Sequence, residues 1–218
     1  MKNKIISVES ISDYVKDGMT VMIGGFLGVG NPNRIIDELV RKNIRDLTII
    51  ANDTSFPDRG LGLLIVNKQA KKIIASHIGT NRETGNQLTS GETEVILVPQ
   101  GTLAEQVRAG GNGTGGFLTP VGIGTVAEEG KQKIEVNGKE YLLELPLRAD
   151  VALIYGARVD KKGNVEYYAS ARNFNPLMAT AADCVIVEAG EIVEVGEINP
   201  DHVGTPHIFI DYIVEGEK

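Results

Sequence analysis

Short apolar runs alternate with segments of helical spacing along the whole chain, and this alternation constrains the fold more than any other property of the sequence. Residues 20–23, 47–51, 72–76, 95–98, 151–155 and 184–187 read as strands. Runs of about four to eight apolar residues between polar or glycine-rich turns suit strands covered on both faces. Linked by helices, such strands predict an open, layered α/β fold with a mostly parallel sheet flanked by helices. The 218 residues suffice for one sizeable core, so 1–218 reads as a single domain. Residues 134–142, centred on Asn137-Gly138, predict a β-hairpin that leaves the main sheet as an antiparallel excursion. Residues 110–130 are too glycine-rich for a core element and too apolar for a linker, and read as an ordered loop.

The first strand runs into Gly-Gly-Phe-Leu-Gly-Val-Gly-Asn-Pro, residues 24–32. After it, Ile35, Ile36, Leu39 and Val40 follow helical spacing, Pro32 suits a first turn, and Asn31 or Asn33 is available as a cap. Strand, glycine loop and helix in that order invite a nucleotide, but neither standard phosphate loop fits. A dinucleotide fingerprint needs G-x-G-x-x-G, whereas Gly25, Gly28 and Gly30 give the reverse spacing. Asp53, the candidate ribose-binding acid, sits between Asn52 and Thr54 in a polar strand-end cluster. A P-loop needs Lys-Ser/Thr where this chain has Asn31-Pro32. What remains is a set of backbone N–H groups ahead of a helix, able to hold an anion or a close-packed amide chain, or a tight turn with no ligand. A second helix is predicted over residues 102–108, stopped by Gly110-Gly111-Asn112-Gly113.

A net charge of −7 argues against nucleic-acid or anionic-membrane partners. No apolar run approaches the roughly 18 to 20 residues of a membrane span, and the N-terminal residues lack a signal-peptide core; the expectation is a cytoplasmic protein. The single cysteine, Cys184, excludes an internal disulfide and reads as a buried structural thiol. No His, Asp or Glu grouping has metal-ligand spacing, so no metal is expected. His77 stands at a strand end, where it either contacts substrate or serves as a hydrogen-bonded structural residue. Asp58-Arg59 and Glu92-Thr93-Glu94 read as solvated surface charge.

Taken whole, Asp17-Gly18-Met19-Thr20-Val21-Met22-Ile23-Gly24-Gly25-Phe26-Leu27-Gly28-Val29-Gly30-Asn31-Pro32 resembles the first signature of the family I (3-oxoacid type) CoA-transferases. The likeness continues through Ile50-Ala51-Asn52-Asp53, Ser76-His77-Ile78-Gly79, Val98-Pro99-Gln100-Gly101-Thr102-Leu103-Ala104-Glu105 and Ser170-Ala171-Arg172-Asn173-Phe174-Asn175-Pro176. It points to the α subunit of the acetate and butyrate–acetoacetate enzymes. The mitochondrial 3-oxoacid enzyme carries the same segments in the N-terminal half of a fused chain. The resemblance implies ping-pong transfer of CoA between an acyl-CoA and a small carboxylic acid, through a glutamyl-CoA thioester and with no permanently bound cofactor. The family's nucleophilic glutamate lies in a Glu-Asn-Gly motif of the β subunit, and no Glu-Asn-Gly occurs in this chain. Activity is therefore expected only with a β partner, in an α2β2 or larger assembly. By resemblance, Gly24, Gly25, Phe26, Leu27, Gly28, Val29 and Gly30 bind CoA, and Asn52 and Gln100 donate to the oxyanion. Neutral amides suit that task, because they supply N–H donors without protonating the partner's carboxylate. Phe26 either packs inward or touches ligand. Two further readings are a sugar-phosphate isomerase or sensor of similar layout and a non-catalytic CoA-binding module.

Overall fold

The computed structural model describes residues 3–216. The main sheet is built from β1 (Ile5–Ile6), β2 (Thr20–Ile23), β3 (Leu47–Ala51), β4 (Ala70–Ala75), β5 (Glu94–Leu97), β9 (Ala149–Asp160), β11 (Ala182–Val193) and β13 (Tyr212–Glu215), in the order β1-β13-β11-β9-β2-β3-β4-β5. All neighbours on that path are parallel, and short β10 (Val165–Glu166) and β12 (Val203–Thr205) add antiparallel pairs beside β9. A separate antiparallel sheet has the order β6-β8-β7, from β6 (Phe117–Thr119), β7 (Lys133–Val136) and β8 (Lys139–Glu144). The helices are α1 (Ile11–Tyr14), α2 (Asn33–Lys42), α3 (Gly62–Val66), α4 (Arg82–Ser90), α5 (Gln100–Asn112) and α6 (Asn175–Met178).

Alternation along each strand feeds a core on either face. Val21, Ile23, Ile49, Ala51, Ile73 and Ala75 pack with Ile35, Ile36 and Leu39 of α2 and Leu64 and Ile65 of α3. Met22, Ile50 and Ile74 point the other way, to Leu103 and Val107 of α5 and Met178 of α6. This double coverage explains why the strands read as continuous apolar runs. From β2 the chain winds outward through β3, β4 and β5, and from β9 it winds outward through β11 and β13 in the opposite direction. The boundary between β2 and β9 is a topological switch point, whose crevice at the carboxyl ends of the strands is where α/β sheets hold ligands. Residues 24–30 follow β2 there.

Several local expectations meet a correction. The helix predicted over 102–108 runs from Gln100 to Asn112, and Gly110 and Gly111 lie inside it. A Cβ on Gly110 would sit 1.9 Å from Leu147 O, and one on Gly111 2.1 Å from Thr180 Oγ1, so both glycines serve close packing. The helix stops at Gly113, whose φ of +69° gives the left-handed cap. The stretch 110–130 is likewise not one loop, since it contributes β6 and a short 3-10 turn at Val126–Glu128. The hairpin turns at Asn137 (φ 53°) and Gly138 (φ 75°), the paired positive φ values of a tight two-residue turn. Neither Asn31 nor Asn33 caps α2 with its side chain. The Ile35 N–H is taken instead by Glu188 Oε2 of β11 at 2.9 Å. Cys184 is half-buried beside the α1–α2 core, not fully enclosed, and burial pushes its thiol up to about 11 with help from Asp211. Among the described residues no helix is long and apolar enough to cross a membrane.

Candidate functional site

The glycine loop is a tight turn held by buried side chains. Phe26 and Val29 exchange backbone hydrogen bonds of 3.0 and 2.9 Å across Leu27 (φ 49°) and Gly28 (φ 84°). A leucine with positive φ is strained, and its N–H is held by Asp53 Oδ2 at 2.9 Å, while Asp53 Oδ1 accepts from Ser55 N at 2.7 Å. Asp53 is buried and holds a backbone N–H at each carboxylate oxygen, so it braces the loop. Asn31, nearly inaccessible, donates from Nδ2 to Gly24 O at 2.5 Å and accepts from Leu61 N at 3.4 Å.

Residues 170–176 supply the rest of the bracing. Asn173 Oδ1 accepts from Gly25 N at 3.1 Å and its Nδ2 donates to Val29 O at 3.0 Å. Fully buried Asn175 donates to Gly30 O at 3.0 Å and to Ala171 O at 2.8 Å, and accepts from Tyr155 N at 3.0 Å. These contacts account for most of the glycines. A Cβ on Gly24 would fall 1.8 Å from Asn175 Oδ1, one on Gly25 1.9 Å from Asn31 Nδ2, and one on Gly30 2.8 Å from Ala171 O. Buried amides, packed where side chains would otherwise stand, require glycine at Gly24 and Gly25, and the Ala171 backbone requires it at Gly30. At the turn itself, Phe26 points outward and is 41% exposed, which settles its orientation in this chain. The Gly28 N–H has no hydrogen-bond partner among the described residues.

Beside the loop, at the switch point, opens a cavity of about 440 Å³ lined by Gly30, Asn31, Arg34, Tyr155, Ser170 and Glu188 among others. Glu188 is 4% exposed, and burial raises its carboxyl to about 7 against the lowering effect of the Ile35 and Arg34 N–H groups, the Arg34 charge opposing and Asp37 reinforcing the rise. No sequence pattern marked this residue, because a lone acid in Val-Glu-Ala-Gly has no local partner to announce it.

Asn52 and Gln100 do not line that cavity. They come together at the ends of three adjacent parallel strands. Asn52 follows β3, Ser76 follows β4, and Gln100 opens α5 just beyond β5. Ser76 links the two, with Oγ 2.8 Å from Gln100 Oε1 and 2.7 Å from the backbone oxygen of Asn52. Asn52 is buried and Gln100 exposed, and among the described residues neither Asn52 Nδ2 nor Gln100 Nε2 donates to another group. Asp53, next in sequence to Asn52, ties this amide pair to the glycine loop through Leu27. The strand-end histidine, His77, is exposed and its ring has no hydrogen-bond partner among the described residues, while its backbone bridges Asp53. Asp58 and Arg59 form an exposed pair at 3.0 Å, as solvated charge should. Among the described residues no group of three or more His, Cys, Asp or Glu could hold a metal ion.

A doubly wound sheet with a braced glycine loop at its switch point, matched by the coenzyme A transferase family model over residues 5–216, defines the class: the chain belongs to that family. Within it, the sequence is 56% identical to the alpha chain of the acetate CoA-transferase of Escherichia coli K12, over 100% of this chain and 99% of that one. It is 55% identical to the alpha chain of the acetoacetyl-CoA:acetate/butyrate CoA transferase of Clostridium acetobutylicum, over 99% of each. Among solved structures, an acyl-CoA transferase of E. coli O157:H7, in a thioester complex with CoA, shares the fold with a TM-score of 0.88 at 21% identity. That likeness covers 99% of this chain and 47% of the longer one. Family membership sets aside the sugar-phosphate isomerase or sensor reading.

Proposed function

We propose that this chain is the α subunit of a heteromeric CoA-transferase that moves CoA between a short-chain acyl-CoA and a free carboxylate, with acetate as one acceptor. Acetate is named for both of the relatives above, each of them an alpha chain. The nucleophile is a glutamate of the β subunit, since this chain has no Glu-Asn-Gly, and the working assembly is α2β2 or larger. The observation that carries the reading is the pair of uncommitted amide groups, Asn52 Nδ2 and Gln100 Nε2, at strand ends on either side of Ser76.

The chemistry explains why neutral donors serve. The glutamate carboxylate attacks the thioester carbonyl, and the tetrahedral oxyanion expels CoA thiolate to leave a mixed anhydride. The thiolate attacks the glutamyl carbonyl of that anhydride, releasing the first carboxylate and forming glutamyl-CoA. The acceptor carboxylate runs the two steps in reverse. Each step moves one negative charge between carboxylate, oxyanion and thiolate, and no proton changes hands. The requirement is for fixed N–H dipoles aimed at the oxyanion, which amides meet at any working pH. Gln100 also stands at the first residue of a 13-residue helix, where the positive end of the backbone dipole favours the same charge. Residues 24–30 form the pantetheine wall, with the free Gly28 N–H as a donor on the exposed side of the turn.

The test is assembly with a β chain that carries Glu-Asn-Gly, followed by acyl-CoA and borohydride. A glutamyl-CoA thioester should be reduced on the β chain with loss of activity. In the same assembly Gln100→Ala should lower kcat by roughly a hundred-fold or more. Unmodified chains with no exchange of CoA between carboxylates would refute the proposal.

A further inference from the structure

We infer that Ser76 is a positioning residue for the transfer reaction, fixing the Gln100 amide beside Asn52 so that an N–H of that amide faces the reacting carbonyl. The inference rests on the reading of Gln100 as an oxyanion donor. Gln100 is exposed and sits on the first residue of α5, and among the described residues the only hydrogen bond to its end group is the one with Ser76. A glutamine of that kind samples many rotamers, and a donor that samples many rotamers stabilises an oxyanion poorly.

The Ser76 hydroxyl meets three oxygens: Asn52 O at 2.7 Å, Gln100 Oε1 at 2.8 Å and Asn52 Oδ1 at 3.3 Å. It has one proton, so it cannot donate to all of them. Asn52 O already accepts the backbone N–H of Ser76 at 2.9 Å. With the hydroxyl proton given to Gln100 Oε1, both N–H bonds of Nε2 are left for the site. With the amide turned over, one Nε2 proton goes to Oγ, the hydroxyl donates to Asn52 O, and the second N–H still points away from Ser76. Both arrangements hold the amide through the same hydroxyl and leave a donor free. In both, the Ser76 N–H to Asn52 O bond ties the serine to the strand end that carries Asn52, and with the amide turned over the hydroxyl adds a second link.

The role separates from folding. Ser76→Ala removes the hydroxyl but keeps the Ser76 N–H to Asn52 O bond, which belongs to the backbone. In the assembled α–β enzyme, Ser76→Ala should lower kcat about ten-fold with KM for acyl-CoA unchanged, less than the roughly hundred-fold or greater loss from deleting a donor. Ser76→Thr retains the hydroxyl and should bring kcat back to within about twofold of the parent. In a Gln100→Ala background, Ser76→Ala should cost nothing further, because the group it positions is gone. A Ser76→Ala loss of equal size in both backgrounds, or none in either, overturns the inference, as does failure of Ser76→Thr to restore kcat. If Gln100→Ala itself turns over normally, the donor reading falls, and the positioning role falls with it; a damaged Gln100→Ala with an intact Ser76→Ala removes only the positioning role.

Discussion

Glu188 offers a test of the structure in which sign and size both follow from its surroundings. Its carboxyl is buried under the first turn of α2, accepts from Ile35 N at 2.9 Å, and is raised from the usual 4.5 to about 7 chiefly by burial. For an acid whose native pKa lies above its unfolded one, the native state keeps the proton over the window between the two values. The unfolded state has lost it there, and ∂ΔG/∂pH is negative. The stabilising contribution is thus complete below pH 4.5 and is lost as pH rises to about 7. Between pH 5 and pH 8 the loss amounts to roughly 2 to 3 kcal/mol. Glu188→Gln carries no such titration and keeps a carbonyl oxygen for the Ile35 N–H. Its stability relative to the parent should therefore be greater at pH 8 than at pH 5 by that amount. Urea unfolding of both proteins at the two pH values reads the difference directly, and a carboxyl-carbon NMR titration of Glu188 reads the pKa. Parallel stability curves together with a midpoint near 4.5 would refute the reasoning.

Gly24→Ala places a methyl 1.8 Å from Asn175 Oδ1 and should destabilise by about 1–3 kcal/mol, read by chemical denaturation, whether or not CoA is present. Asp53→Asn keeps one acceptor oxygen and turns an NH2 toward the other of two N–H groups, the part-buried one of Leu27 or the buried one of Ser55. It should cost about 1–3 kcal/mol and raise KM for acyl-CoA as the turn loosens. Asn52→Ala should lose about 2.7–4 kcal/mol of transition-state stabilisation in the assembled enzyme while leaving the melting temperature within a few degrees, measured by steady-state kinetics and thermal unfolding.

The sequence described the middle of the sheet well, because strands covered on both faces leave an unbroken apolar run. The strands β2 and β3 have the bounds their apolar residues suggest. The long strands β9 and β11 read as less than half their length. Their second halves carry Arg158 and Glu191, which pair across the sheet at 3.3 Å and break the apolar pattern without breaking the strand. The loop's position after β2 was legible, and so was its failure as a phosphate loop. Its bracing was not: Gly25 is held from Asn173 and Gly30 from Asn175, about 145 residues away in the chain. Asn52 and Gln100 were reached through family resemblance, since an amide at a strand end looks like any turn residue. Ser76, which joins them, carries no pattern of its own.

The packing of the glycine loop has a consequence for how such chains are recognised. At Gly24, Gly25 and Gly30 a side chain would collide with Asn175, Asn31 and the backbone of Ala171. Selection on those positions therefore acts through folding as soon as the two amides and the Ala171 backbone are packed there. A descendant that had exchanged Asn52 and Gln100 for other residues and taken up another reaction would still have to keep the glycines. The signature that most readily identifies a member of this family is in that sense a record of its architecture, and the chemistry is inherited separately, in two amides that the signature does not include.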